Sequence, residues 1–198
     1  MKSLRAALLA VATVVAAVLA LTACSSSGSG DSTYHYDGAQ AVGTFIPVAD
    51  RKPAQVFGGS LLAGGNYDLS RYRGKVVVIN FWGVWCPPCR VETPQFGKVY
   101  DAYRTKGVTF VGVDIKDGSR AGSRSFLADN HVTYPVIWDE IGETAVRLGE
   151  ISTQAMPFTV LLDQQHRVAG VYITPLTQAD LEPMLNKLLA EHPSGTAQ

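Results

Sequence analysis

The chain contains unbroken runs of apolar residues separated by segments of mixed polarity, and this pattern predicts an α/β fold. Apolar runs rich in β-branched residues are typical of strands that are covered on both faces of a sheet. The predicted strands are residues 76–81, 108–113, 158–162 and 167–173. Helices are predicted over residues 86–105, 119–130 and 140–148. A last amphipathic helix is predicted after the capping residue Thr177, with one apolar side formed by Leu181, Leu185, Leu188 and Leu189.

Turn signals define the shorter elements. Two glycines separate residues 55–62 from residues 67–69, which predicts a short N-terminal hairpin. Pro135 interrupts a short extended run over residues 132–137. The polar residues 163–166 join the last two strands as a second hairpin, so this pair is antiparallel. Because strands elsewhere alternate with helices, the predicted architecture is an α/β sandwich with a mixed sheet.

The N-terminal segment has the organisation of a secretory signal. Lys2 and Arg5 precede an apolar stretch over residues 6–21, which is too short and too rich in alanine for a transmembrane helix. The sequence Leu-Thr-Ala-Cys at its end resembles the bacterial lipoprotein box, in which the cysteine, here Cys24, becomes the lipidated first residue. An ordinary cleavage site and a retained signal anchor are the alternatives.

These signals divide the chain into four regions. Residues 1–23 are expected to be a lipoprotein signal peptide, and the Ser/Gly-rich residues 24–39 a flexible tether. Residues 40–192 are long enough to form a single domain with its own core, and residues 193–198 are expected to be a disordered tail. The predicted location is the extracytoplasmic face of the cell membrane, with a lipid anchor.

The charge distribution argues against one class of partner. The whole chain has 17 basic and 17 acidic side chains, and loss of Lys2 and Arg5 with the signal would leave a small acidic excess. No basic run longer than a pair occurs after the signal. The sequence therefore predicts no binding of nucleic acid.

The candidate chemistry lies in a cysteine pair at a predicted helix start. A buried strand runs into Trp-Cys-Pro-Pro-Cys, which contains Cys86 and Cys89. Unpaired N–H groups and a partial positive charge at a helix N-terminus favour a thiolate over a thiol. We expect Cys86, at the exposed helix tip, to attack a partner disulfide, and Cys89 to resolve the mixed disulfide.

A metal site and a structural disulfide explain this pair less well. A zinc site needs a second pair of ligands, whereas no second closely spaced cysteine pair exists and the four histidines are scattered. A bridge across only two residues restrains the unfolded chain little. The prediction is a redox-active Cys86–Cys89 disulfide, with no metal and no further cofactor.

Neighbouring residues are candidates for tuning the pair. Pro87 and Pro88 have no N–H, which leaves the Cys89 N–H as the main donor to the Cys86 sulfur within the motif. We hypothesise a less stabilised thiolate and a more reducing site; the alternative is that the prolines only stiffen the turn. Glu92 lies one helical turn after Cys89 and is placed to take the proton that Cys89 loses. The alternative is a solvated glutamate that helps the helix to start.

The aromatic residues around the motif have different expected roles. Trp82 ends the buried strand and is expected in the core, whereas Trp85 is expected to be an exposed apolar contact for a partner chain. Met156 and Pro157 precede another strand, and the sequence alone leaves the isomer of their peptide bond open.

Together these residues resemble the thioredoxin superfamily, and more narrowly the TlpA-like thioredoxins and the membrane-tethered reductases of bacterial cytochrome c maturation. The resemblance covers about residues 50–190, and its motifs lie at residues 69–82, 85–89, 92–94 and 156–163. It implies a thioredoxin-like sandwich in which helices flank a central mixed sheet. Residues 114–130 match the extra helix that this subgroup inserts between central strands, and the N-terminal hairpin predicted above precedes the central sheet.

The resemblance implies roles for individual residues as well. Pro157 would be a cis-proline that faces the redox pair, and together with Met156 it would pair with the backbone of a bound substrate. Glu92 would match the acidic residue that this subgroup uses near its active site. Phe158 stands where a small hydroxyl residue is common, and we expect its bulk to lie beside the substrate groove.

The expected function is reduction of protein disulfides outside the cytoplasm. The resemblance favours apocytochrome c as the substrate, with copper-site proteins as a second class, and implies a membrane thiol electron carrier as the donor. The alternatives are a disulfide oxidase or isomerase for exported proteins and a non-enzymatic copper-binding assembly factor. A peroxidase is disfavoured, because residues 92–94 do not supply the threonine-containing cysteine motif of that chemistry.

Overall fold

The computed structural model of this chain describes Gly43 and residues 45–148 and 156–191. The predicted signal peptide, Cys24, the tether and the C-terminal tail lie outside the described residues. The strands are β1 (Gly58–Ser60), β2 (Asn66–Asp68), β3 (Val76–Trp82), β4 (Val108–Ile115), β5 (Val136–Asp139), β6 (Phe158–Leu162) and β7 (Val168–Tyr172). The α-helices are α1 (Pro87–Tyr103), α2 (Arg120–Asp129), α3 (Glu143–Arg147) and α4 (Gln178–Ala190).

The main sheet has five strands in the order β5-β4-β3-β6-β7. Strands β3, β4 and β5 are parallel, whereas β6 is antiparallel to β3 and β7 is antiparallel to β6. Strands β1 and β2 form a separate antiparallel hairpin. The predicted mixed sheet, the N-terminal hairpin and the helix inserted between β4 and β5 are thus confirmed.

Side chains of β3 alternate between two hydrophobic cores, one on each face of the sheet. Val76 and Val78 pack in the core that also contains side chains of α1, α2 and α4. Val77, Ile79 and Phe81 pack in the core formed with the N-terminal hairpin and α3. Because both faces are covered, every residue of β3 and β4 is buried. Strand β3 is therefore held on both faces where it leads into the segment before α1.

The fifth strand begins later than the sequence predicts. The extended run was expected over residues 132–137, whereas β5 spans Val136–Asp139. Pro135 has no N–H to donate to a ladder, so regular pairing with β4 starts after it. Its carbonyl still accepts a hydrogen bond from the Gly112 N–H.

The helix expected over residues 140–148 is also shorter, because it begins only at Glu143. The Asp139 carboxylate accepts hydrogen bonds from the N–H groups of Gly142, Glu143 and Thr144. These bonds hold residues 140–142 in a turn that precedes the helix. A capping carboxylate several residues upstream therefore sets the boundary of α3.

Candidate active site

Strand β3 and helix α1 place the cysteine pair at their junction. Cys86 is the N-cap of α1 and forms a disulfide with Cys89. The Cys89 N–H donates to the Cys86 sulfur at 3.3 Å. Pro87 and Pro88 occupy the first two helical positions, where a missing N–H costs least. The Cys89 N–H is thus the donor to the Cys86 sulfur, as the absence of N–H groups on the two prolines predicts.

The expectation of an exposed Cys86 is wrong for this disulfide form. Its relative exposure is 3%, and Cys89 is fully buried. The surrounding surface is formed by Pro87, Pro88 and Trp85, which are exposed. Cys86 lies below that surface because its side chain turns inward to bridge to Cys89, so a partner must approach over Trp85 or the prolines.

Glu92 is buried, not solvated, and links three elements. Its exposure is 1%, which excludes the alternative of a surface glutamate. One carboxylate oxygen accepts from the Asn80 side-chain amide of β3 at 2.7 Å, and the other accepts from the Leu176 backbone N–H before α4 at 2.8 Å. Burial raises the pKa of Glu92 from 4.5 to about 7, although both hydrogen bonds act to lower it. Glu92 is therefore suited to exchange a proton near neutral pH.

Asn80 connects this carboxyl group to β6. Its Nδ2 also donates to Thr159 Oγ1 at 3.3 Å, and Thr159 is its direct partner in the β3–β6 pairing. Its Oδ1 has no hydrogen-bond partner within the described residues, although the side chain is fully buried. The sequence did not predict the contact between Asn80 and Glu92.

The segment before β6 and the exposed tryptophan complete the site. The Met156–Pro157 peptide bond is cis, which is the isomer that the resemblance implies. Met156 is half-buried and contacts both hydrophobic cores. Trp85 is 47% exposed, as expected, while its Nε1 donates to the Ile115 carbonyl at 2.9 Å. Trp82 is fully buried, also as expected.

The expected position of Phe158 beside a groove is wrong. Its side chain is fully buried, and its ring stacks on Phe81 with 4.0 Å between the centroids. Both residues are direct partners in the β3–β6 pairing and point into the same core. The bulk of Phe158 therefore contributes to packing under the sheet.

Two acidic residues near the motif were missed by sequence reasoning. Asp114 is fully buried near the end of β4, and Asp117 follows that strand. An Asp117 carboxylate oxygen accepts from the Val84 N–H at 2.7 Å, two residues before Cys86. The signal was present as two aspartates three positions apart after an apolar run. It was read only as the start of the inserted segment.

Two features are absent from the described part of the chain. No three His, Cys, Asp or Glu side chains there lie close enough together to hold a metal ion. No helix there is long and apolar enough to cross a membrane.

The sequence matches the Redoxin family over residues 47–189. It is also 32% identical over 127 residues to the thiol-disulfide oxidoreductase ResA of Bacillus thuringiensis subsp. konkukian, an alignment that covers 64% of this chain and 71% of that relative. The chain belongs to the ResA-like thiol–disulfide oxidoreductases of the redoxin family. The Cys86–Cys89 disulfide supports oxidoreductase activity in this chain.

Solved structures agree with the assignment to the ResA-like family. A secreted thiol-disulfide isomerase from Corynebacterium glutamicum is similar with a TM-score of 0.74 and 32% identity, over 80% of this chain and 98% of that one. A DsbF homologue from Corynebacterium diphtheriae has the same TM-score and identity, over 78% of this chain and 99% of that one. The predicted thioredoxin-like fold of this ResA-like protein is thus confirmed.

Proposed function

We propose that this ResA-like protein is a lipid-anchored reductase of protein disulfides on the extracytoplasmic face of the cell membrane. The observation that carries the proposal is the buried Glu92 carboxyl, whose pKa is about 7 and which lies three residues after Cys89 on α1. A reductase must deprotonate its second cysteine while a mixed disulfide is in place. A buried base of neutral pKa near that cysteine supplies this step.

The proposed cycle begins with the dithiol form. The Cys86 thiolate attacks one sulfur of a substrate disulfide, which forms a mixed disulfide and releases one substrate thiolate that takes a proton. Cys89 then gives its proton to the Glu92 carboxylate, and its thiolate attacks the Cys86 sulfur. The second substrate sulfur leaves as a thiolate and takes a proton from solvent, Glu92 releases its proton to solvent, and the Cys86–Cys89 disulfide forms. Two electrons have passed to the substrate, and no cofactor beyond the cysteine pair is needed.

The direction of exchange is proposed from the surroundings of Cys86. A strong oxidant stabilises its attacking thiolate and thereby its reduced form. Here the two prolines contribute no N–H, and the Cys89 N–H is the donor to the Cys86 sulfur within the motif. A weakly stabilised thiolate favours the disulfide form of the protein and hence electron donation.

The proposed surroundings follow from the chain itself. Cys24 would carry the lipid, and the Ser/Gly-rich residues after it would let the domain reach substrates near the membrane. Trp85, Met156 and Pro157 would contact the substrate segment. Apocytochrome c is the favoured substrate, with the cysteines of copper-site proteins as a second class. A membrane thiol electron carrier would return the protein to the dithiol form.

A second candidate function is disulfide isomerisation or oxidation in exported proteins. The specific observation that favours it is the similarity to a protein described as a secreted isomerase. The same cysteines would serve this function at a more oxidising potential.

Covalent trapping tests the proposed cycle. We expect the reduced Cys89→Ser variant to accumulate a mixed disulfide through Cys86 with an oxidised haem-attachment peptide of apocytochrome c. Mass spectrometry would detect the complex, and dithiothreitol would release it. The matched Cys86→Ser variant should trap nothing, because Cys89 is fully buried and lies inside α1, whereas Cys86 is at its N-terminus.

Two outcomes would contradict the proposal. Absence of the complex with Cys89→Ser would exclude Cys86 as the attacking thiol. Faster oxidation of the reduced peptide by the disulfide form than reduction of the oxidised peptide by the dithiol form would favour the oxidase.

A further inference from the structure

The loop between β3 and α1 is held from one side by the end of β4. The Val84 N–H donates to Asp117 Oδ2 at 2.7 Å, and the Trp85 Nε1 donates to the Ile115 carbonyl at 2.9 Å. These bonds fix the two residues that immediately precede Cys86. Whatever orients Asp117 therefore also orients the entrance to the redox site.

The bond from the Val84 N–H to Asp117 anchors this loop. Asp114 lies three residues before Asp117, and its surroundings disfavour a negative charge on its own carboxyl group. Its side chain is fully buried, and neither carboxyl oxygen accepts a hydrogen bond from a donor in the described residues. Its direct neighbours in the sheet are Trp82 on β3 and Trp138 on β5, neither of which ionises. The nearby Ser123 hydroxyl acts to lower the pKa of Asp114, but burial outweighs this effect, so the neutral acid with its own O–H is the cheaper form.

The groups that face this pair identify the acceptor for that O–H. Asp117 is the charged group that acts on Asp114, and it lies within hydrogen-bonding reach. From α2, the Ser123 hydroxyl donates to Asp117 Oδ2 at 3.5 Å, and the Arg120 guanidinium lies over the Trp138 ring at 5.2 Å from its centroid. Asp117 thus accepts bonds from the loop and from α2, and it is the charged acceptor for a protonated Asp114, beside the neutral Ser123 hydroxyl.

We propose that Asp114, as a neutral acid that donates to Asp117, is a positioning residue for the loop that carries Trp85 and Cys86. The proton shared by the two carboxyl groups leaves a single negative charge, which holds the Val84 N–H. Loss of this proton places two carboxylates side by side in a buried site, and their repulsion loosens the anchor. The inference concerns the exchange activity itself and does not depend on which protein is the substrate.

Burial and the neighbouring Asp117 raise the pKa of Asp114 to about 8. The anchor is therefore intact below this pH and weakened above it. Glu92, whose pKa is about 7, also titrates in this range, so an experiment must separate the two groups.

Amide NMR on the disulfide form of the whole protein separates them, because no thiol titrates in that form. We expect the Val84 N–H and the Trp85 indole N–H to shift together with a midpoint near pH 8 in the unaltered protein. Asp114→Asn supplies a neutral donor of the same shape, so both signals should stay at their low-pH positions throughout. Glu92→Gln should leave the transition near pH 8 in place.

A kinetic measurement tests whether the anchor matters to the chemistry. The rate constant for reduction of the disulfide by dithiothreitol is compared between Asp114→Asn and the unaltered protein, and the ionisation of dithiothreitol cancels in the ratio. We expect a ratio near one at neutral pH and a several-fold advantage for Asp114→Asn at high pH. Asp139→Asn, which removes a buried carboxylate that caps α3, controls for general destabilisation and should give no pH-dependent ratio.

Three results would overturn the inference. The Val84 and Trp85 signals could show no transition in the unaltered protein. The transition could persist in Asp114→Asn, which would assign it to another group. The rate ratio could stay constant with pH, which would show that the proton on Asp114 does not affect reduction of the disulfide.

Discussion

Glu92 shows how burial at one residue changes a common side chain into a reactive one. An exposed glutamate has a pKa near 4.5, whereas removal from water raises the pKa of Glu92 to about 7. The hydrogen bonds from Asn80 and Leu176 oppose this effect but do not cancel it. The same side chain therefore makes stability depend on pH and is suited to the proton transfer that we propose.

Replacement of Glu92 by glutamine should change how stability depends on pH. A carboxyl group whose pKa is raised on folding stabilises the fold fully below its unfolded pKa of 4.5, and this contribution is lost as pH rises through about 7. The loss is on the order of 3 kcal/mol. Glu92→Gln should remove that part of the decline when the disulfide form is unfolded in urea at several pH values.

The glutamine is expected to fit the site. A flip of the Asn80 amide would present its unpartnered Oδ1 to the new N–H₂ group. Glu140→Gln removes an exposed carboxylate and should follow the unaltered profile. An unchanged slope between pH 4.5 and 7 in Glu92→Gln would show that Glu92 does not titrate as described.

At the residue scale, the sequence predicted which residues form the site better than it predicted their burial and their contacts. Cys86, Cys89 and Glu92 were located from helix spacing, because the turn of a helix fixes which residues share a face. Burial of Glu92 and its contacts with Asn80 and Leu176 depend on elements more than ten residues away in sequence. Asp114 was missed for the same reason, because its surroundings come from two neighbouring strands.

At the scale of elements, β3 and β6 form the support beneath the site. Their pairing places Asn80 opposite Thr159 and Phe81 opposite Phe158. One face of this pair therefore carries the polar contacts to Glu92, and the other carries a stacked aromatic pair in the core. Successive side chains of a strand point to opposite faces. Asn80 therefore contacts Glu92, whereas the adjacent Phe81 packs in the core.

Substitution of Phe158 distinguishes packing from substrate contact. Phe158→Ala should lower the free energy of unfolding by about 3–5 kcal/mol, because it removes a fully buried ring and leaves a cavity. Phe158→Leu keeps most of the apolar volume and should cost less than about 1.5 kcal/mol. Urea unfolding measures both values.

The same variants should not change which substrates are preferred. We expect the ratio of reduction rates for two unrelated disulfide peptides to be equal in Phe158→Leu and the unaltered protein. Little destabilisation by Phe158→Ala together with an altered ratio would restore the groove position that the sequence suggested.

Element boundaries show where local patterns stop being informative. The strands β3 and β4 were predicted closely because both faces are buried and their runs are unbroken. The ends of β5 and α3 were displaced because a proline carbonyl and the Asp139 carboxylate decide them. Such capping contacts become visible only when the neighbouring segment is in place.

At the scale of the whole domain, a buried ion cluster joins segments that are distant in the chain. Arg51 contacts Asp163 at 3.2 Å and also pairs with Glu191 at the end of α4. Asp163 receives a second cation, Arg167, at 2.9 Å. The N-terminal segment, the β6–β7 turn and the last helix are thereby held together. Asp163 directly follows β6, the strand that carries Thr159.

The resemblance supplied the overall architecture, and the residues that tune the chemistry required the structure. The alternation of strands and helices and the motifs of the resemblance predicted the fold, and the CxxC motif after an apolar strand predicted the reaction class. The ion cluster around Arg51 was not predicted, because Arg51 is more than a hundred residues from both Asp163 and Glu191. The direction of electron flow is a property of the whole folded site and remains the central proposal.

The reduction potential of the Cys86–Cys89 pair tests that proposal most directly. It is measured by equilibration of the protein in thiol/disulfide buffers of defined ratio, followed by quantification of the dithiol form. We predict a value near the ~−270 mV of thioredoxin, consistent with a dedicated electron donor. A value near the ~−120 mV of a strong oxidant would contradict the account and identify a donor of disulfides to exported proteins.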